Sequence, residues 1–332
     1  MKTELVYFIL ILAATFIITA VSARILIPKL KSHKMGQKIL DVGPRWHKSK
    51  EGTPTMGGLS FLIATVIVFI AAVIAVIIRG ESINLTKLII TFAMVLLNCM
   101  IGIIDDYTKF IRKQNEGLKA SQKYLMQLIV SAAYLFAMTT SGCISTAMYI
   151  PFVGITLELG WFYYIAAFIV ITGIINCVNL TDGIDGLAST VTLVVGAFFA
   201  VVAFTGGLLA EVIMSALLIG SCLGFLVYNF YPAKIFMGDT GSLFLGAMVT
   251  GLAFMINNPL IIILAGIIYV IEGTTVIMQV GYFKLTHGKR LFKMSPIHHH
   301  FEKSGWSEIK IVCVFSAVTL IACVLAYFGA GI

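Results

Sequence analysis

The sequence predicts an all-α polytopic membrane protein, a bundle of about ten transmembrane helices forming a single domain over residues 1–332. Three observations predict it. Of the 332 residues, 59% are hydrophobic and 11% are charged, whereas soluble domains carry about 25% charged residues. The mean hydropathy is +1.01. The apolar residues also gather into runs long enough to cross a hydrocarbon core, which takes about 20 residues as helix. No second block of different composition marks off a soluble domain.

The runs can be taken in order. Residues 5–27 follow Met1-Lys2 and are too long for a signal-peptide core, with no small-residue cleavage site after them, so they read as the first span. Spans 57–78 and 86–104 follow, the third closing on Gly102-Ile-Ile-Asp105-Asp106-Tyr107. Spans 123–140 and 161–178 flank a stretch, 141–160, without Lys or Arg. Spans 187–205, 211–230 and 241–256 come next. The ninth, 260–283, contains Gly266, Glu272 and Gly273 and is expected to be broken or kinked. The last is 309–329.

Orientation follows from Lys and Arg. All but Lys2, Arg79 and Lys87 fall in one set of alternating loops: Arg24 to Lys50, Lys109 to Lys123, Lys234, and Lys284 to Lys310. The basic side is the cytoplasmic side, which leaves both termini outside. The net charge of +8 is thus assigned to membrane orientation, and nucleic acid is not an expected partner. The six cysteines are scattered without a CxxC pair and read as small apolar residues.

The same topology puts all six aspartates on the basic face, and Glu4, Glu81, Glu158 and Glu211 opposite. Carboxylates at helix mouths are costly and mark function. Asp105 and Asp106 are adjacent, so on a helix they point about 100° apart; one can ligate a metal while the other contacts substrate or a cation such as Lys109. Asn179-Leu-Thr-Asp182-Gly-Ile-Asp185 has two acids that would share a face if helical. In Asn229-Phe-Tyr-Pro-Ala-Lys-Ile-Phe236-Met-Gly-Asp239, Asp239 is a candidate N-cap or metal ligand. Such hard oxygens suit Mg²⁺ held together with substrate phosphates. Pro296-Ile-His298-His299-His300-Phe-Glu302 lies in a basic loop suited to an anionic substrate, its histidines pointing in different directions. Glu51 to Gly58 reads as a turn before the second span. Acids for a metal and bases for phosphates on one face are what phosphoryl transfer requires. A secondary transporter is the reading from another class, but it would place its ion site near the midplane and show repeat symmetry.

Asp105-Asp106, Asn179 to Ala188 and Phe236 to Ser242 resemble the polyprenyl-phosphate N-acetylhexosamine-1-phosphate transferases. Glu51 to Gly58 and the three histidines resemble the branch whose donor is UDP-N-acetylmuramoyl-pentapeptide. The resemblance spans nearly the whole chain. It implies transfer to undecaprenyl phosphate with loss of UMP, giving lipid I in a bacterial cytoplasmic membrane, with Mg²⁺ as cofactor and Asp239 as its ligand. It implies catalytic roles for Asp105, Asp106, Asp239, Lys123 and His298. It implies substrate contacts for Asn179, Asp182, Asp185, Asn229, Lys109, Phe236, His299 and His300. Membrane lipid and a homodimer are carried as expected partners. The alternative is a sister enzyme using UDP-N-acetylglucosamine. A phosphate monoester is mostly ionised at pH 7, its second pKa lying near 6, so a general base contributes little there. Direct displacement and a two-step route through an aspartyl intermediate both remain open.

Overall fold

Why the helices pack as they do is clearest at the centre. In the computed structural model, which describes residues 2–32, 50–112, 114 and 116–331, every residue of one helix from Thr240 to Met255 is buried. This is α8 (Gly238–Met255). Its glycines admit neighbours at van der Waals contact: a Cβ at Gly246 would meet the Ile175 backbone, one at Gly241 the Phe61 ring, and one at Gly251 the Thr91 methyl. Small residues let helix backbones approach in membranes, where packing rather than water exclusion holds helices together.

Around α8 stand α1 (Lys2–Ser32), α2 (Gly58–Arg79), α3 (Leu85–Arg112), α4 (Ala120–Thr140), α5 (Phe162–Thr181), α6 (Leu187–Thr205) and α7 (Leu209–Asn229). After α8 come α9 (Ile261–Ala265), α10 (Ile267–Leu285), α11 (Ile297–Glu302) and α12 (Glu308–Gly329). Helices α2, α3, α5, α6 and α7 all pack on α8, and α1 lies against α7 and α2. The α1–α7 seam uses Gly220 and Gly224, which face the backbone of Leu12 and Phe16. Large apolar side chains such as Ile70, Ile74 and Ile77 on α2 and Ile321, Val324 and Phe328 on α12 point outward. That inverts the soluble pattern and fits lipid contact.

Among the described residues, seven helices are long and apolar enough to cross a membrane: α1, α2, α3, α5, α6, α7 and α12. The other three expected spans are met by α4, α8 and the α9–α10 pair, which mix polar groups into their apolar runs. The expected break in the ninth span occurs at Gly266, between α9 and α10.

Two features differ from the sequence reading. The 141–160 stretch contains an antiparallel hairpin, β1 (Ala147–Ile150) with β2 (Ile155–Glu158), registered Met148 to Leu157. And α3 continues two turns beyond residue 104, so Asp105, Asp106 and Lys109 share one unbroken helix. Asp41 and the basic residues Lys34, Lys38, Arg45, Lys48 and Lys113 lie outside the described residues.

Candidate active site

Four helix ends converge: the last turns of α3, the first turn of α4, the last turn of α5 and the first turn of α8. The extension of α3 sets Lys109 four residues after Asp105 and three after Asp106, spacings that bring side chains together. Its ammonium lies 2.7 Å from Asp105 Oδ2 and 3.4 Å from Asp106 Oδ1. It also reaches Asp239 Oδ2 on α8 at 2.9 Å. Lys123 of α4 meets the same Asp239 oxygen at 2.9 Å. Asn179 of α5 donates to Asp239 Oδ1 at 2.8 Å and to Ser242 Oγ at 2.6 Å. One oxygen from each of Asp105, Asp106 and Asp239 falls within 4.8 Å of the others.

Asp106 is buried and accepts from Asp239 N at 3.2 Å, Thr240 N at 2.9 Å and Thr240 Oγ1 at 2.7 Å. The two N–H groups belong to the first turn of α8, where a helix cannot satisfy them internally, and the third donor is the Thr240 hydroxyl. Asp239 is therefore not the N-cap that the sequence suggested. It sits inside the first turn, and Asp106 of α3 supplies the cap. At Gly102 a Cβ would collide with the Asp239 carbonyl, so this glycine sets how closely α3 can hold α8. Asp105 accepts from Leu118 N at 2.8 Å, which holds the residue two positions before α4 against the cluster.

Asp182 and Asp185 do not share a helical face. The α5 helix ends at Thr181, and a turn leads to Gly186, whose φ of 77° is left-handed. Asp185 turns away and binds Lys50 Nζ at 2.7 Å and Ala233 N at 2.8 Å. Glu308 of α12 completes that knot, meeting Lys50 at 2.6 Å and accepting from Asp185 N at 3.0 Å. Asp182 stays with the cluster. Burial, and then the charges of Asp239, Asp106 and Asp185, push its carboxyl up to about 8.

The remaining expected residues have partners of their own. Asn229 is buried, donates to Ile235 O at 3.0 Å and accepts from Ser189 Oγ at 3.4 Å. Phe236 N donates to Pro54 O, and Gly57 N to Phe236 O, both at 2.8 Å, so the 50–58 segment lies alongside the loop that leads into α8. The histidines lie on a short helix, α11, rather than in a loop, and they do diverge. His298 is buried against Glu272 at 3.0 Å, His299 meets Glu302 at 2.6 Å, and His300 Nδ1 accepts from Lys293 N at 3.1 Å. Just before α11, Val280, Phe283 and Met294 together with Gln279, Lys284, Arg290 and Ser295 line an open, mainly apolar cleft of about 280 Å³. Lys50, Glu308, Thr240 and Ser242 were not singled out from the sequence. Thr240 and Ser242 stood in the quoted motif, whereas nothing local marks Lys50 or Glu308.

Known proteins resemble this chain over the segments that carry the cluster. The model of glycosyl transferase family 4 matches residues 88–257, which hold the Asp105–Asp106–Asp239 cluster, Lys109, Lys123 and Asn179. Signature 1 of phospho-N-acetylmuramoyl-pentapeptide-transferase matches residues 50–62, the segment beside Phe236. The phospho-N-acetylmuramoyl-pentapeptide-transferase of Clostridium novyi is 48% identical over 315 residues, covering 95% of this chain and 94% of its own. That of Clostridium acetobutylicum is 46% identical over 327 residues, covering 98% of each. That of Acetivibrio thermocellus is 44% identical over 325 residues, covering 97% of this chain and 94% of its own. With identity of this order along nearly its whole length, the chain belongs to the phospho-N-acetylmuramoyl-pentapeptide-transferase family.

Proposed function

We propose that this protein transfers phospho-N-acetylmuramoyl-pentapeptide from its UDP-linked donor to undecaprenyl phosphate, releasing UMP and leaving lipid I in the membrane. The observation that carries the reading is the cluster itself: Asp105, Asp106 and Asp239 meeting Lys109 and Lys123 where α3, α4, α5 and α8 converge. In the reaction an oxygen of the lipid phosphate attacks the β-phosphorus of the donor. The bond from that phosphorus to the bridging oxygen breaks, and UMP leaves with the electron pair.

Such a transfer depends on positioning and charge stabilisation more than on covalent help from the protein. Lys109 and Lys123 supply two fixed positive charges, both already at hydrogen-bond distance from Asp239. Asn179 holds Asp239 in one orientation. Asp106 pins the start of α8, so Asp239 keeps its place relative to α3. The exposed cations Lys284 and Arg290 at the edge of the cleft suit the anionic part of the donor.

The donor set fits a divalent cation, since the cluster offers three carboxylates with oxygens close enough to converge. Asp239 and Asp105 would hold Mg²⁺, because Asp106 is committed to α8. The ion would neutralise charge on the diphosphate. We place this site on the cytoplasmic face, since the basic residues gather at that end.

UMP release tests the reading, with purified protein, undecaprenyl phosphate and Mg²⁺. Turnover with the muramoyl-pentapeptide donor and not with UDP-N-acetylglucosamine is expected, and the reverse preference would overturn the donor assignment. Asp239→Asn should abolish Mg²⁺-dependent release; normal turnover in that variant would sink the ligand assignment.

A further inference from the structure

Two buried ionisable groups sit behind the site and take no part in the scheme above. Glu272, on α10, and His298, on α11, are each fully buried at 0% exposure. His298 Nδ1 lies 3.0 Å from Glu272 Oε2. A carboxylate can only accept, so this bond puts a ring proton on Nδ1 and fixes the plane of the ring. The second nitrogen, Nε2, is buried without a hydrogen-bond partner. It faces Gly183, where a Cβ would collide with Nε2 itself. Gly183 follows Asp182, the loop acid that stays with the carboxylate cluster. A neighbouring close approach holds Glu272 in place: a Cβ at Gly273 would collide with Cys177 Sγ of α5, so α10 is pressed onto the helix that leads into this loop. Glu272, His298, Gly183 and Asp182 thus form a mechanical series from the middle of α10 to the catalytic cluster.

We propose that Glu272 and His298 are a positioning pair: Glu272 sets the tautomer and angle of the His298 ring, and the ring, packed on Gly183, sets the height of the Asp182–Asp185 loop over the Asp105–Asp106–Asp239 cluster. This rests on the reading of that cluster as the site of transfer. The three histidines then divide their work. His298 acts from beneath the loop, through protein, while His299 and His300 are only partly buried.

The pair makes two predictions that need no substrate. The first is spectroscopic. In protein labelled with ¹⁵N-histidine, with the His298 signal identified by its loss in His298→Gln, the native ring should show the Nδ1–H tautomer. In Glu272→Leu no acceptor faces Nδ1, and the ring should lose its preference for the Nδ1–H form. A native ring in the Nε2–H form, or one whose tautomer Glu272→Leu leaves unchanged, overturns the role of Glu272.

The second is a double-mutant cycle on thermal unfolding. Gly183→Ala should lower the melting temperature in the native background and do so much less beside His298→Ala, because removing the ring removes the collision. Additive effects overturn the packing role of His298. With donor and acceptor present, Glu272→Gln should lower kcat on the order of 10-fold or more, as when a supporting partner of a site histidine is lost, with Glu272→Asp partly restoring it. The KM for undecaprenyl phosphate should stay unchanged. If native protein releases no UMP from the muramoyl donor, the functional reading fails, while the tautomer and the cycle still decide the positioning pair.

Discussion

Asp106 shows what an acidic pair can mean once neighbours are placed. Its carboxylate accepts three hydrogen bonds from the first turn of α8, so it builds the site rather than standing open in it. Its neighbour Asp105 points elsewhere, as the 100° step of a helix requires. That divergence was legible in the sequence; the partner of Asp106 was not, because it lies 134 positions along the chain. Lys109 touches all three carboxylates, so an added divalent ion competes with its ammonium for the same oxygens. Lys109→Met should therefore bind Mn²⁺ more tightly, read by electron paramagnetic resonance, while turning over more slowly; weaker Mn²⁺ binding would count against the shared locus. Asp182 gives a pH prediction. Its carboxyl is raised from 3.8 to about 8 in the fold, so the folded chain keeps a proton that the unfolded chain has lost. Stability from this group falls as pH rises through that window and levels off above it. The melting temperature in detergent should decline between about pH 5 and about pH 9, and the decline should flatten in Asp182→Asn.

At the scale of elements, hydropathy located the helices but not their ends. The third span stops at residue 104 by hydropathy because Asp105, Asp106 and Lys109 are polar. The helix nevertheless runs on to Arg112, since ion pairs at helical spacing and contacts to α8 satisfy those groups. The expectation that Asp182 and Asp185 share a face depended on a helix that ends one residue too early. The β1–β2 hairpin escaped notice because its two strands are only four residues each, although Gly154, at φ 70°, lies between them as a turn signal. The break in the ninth span was legible, because Gly266 interrupts an otherwise apolar run. The knot of Lys50, Asp185 and Glu308 joins three distant segments, and the side chains are 14%, 2% and 9% exposed. Removing the cation leaves two carboxylates facing one another in a buried place. Lys50→Met should cost about 3–5 kcal/mol, the usual consequence of breaking a buried pair, read as a fall in melting temperature and in the yield of folded protein.

For the whole molecule, the carboxylate cluster and the β1–β2 hairpin lie at opposite ends of the helices that join them. The opposite end has its own ion pair, Lys87 with Glu211 at 3.7 Å, between the starts of α3 and α7. If the cluster faces the cytoplasm as proposed, a cysteine at Glu158 should react with an impermeant thiol reagent in intact cells, and one at Glu116 only after permeabilisation. Both positions are exposed, and the assay needs Cys313, the exposed native thiol, replaced by serine. Labelling of Glu116→Cys in intact cells would reverse the orientation.

The tie through Glu308 has a bearing on biosynthesis. The acidic loop between α5 and α6 is made midway through translation, yet Asp185 gains part of its setting from the first turn of α12. A chain still on the ribosome and lacking α12 has the loop but not its far anchor. Asp185 therefore gains its full set of partners only once α12 has joined the bundle.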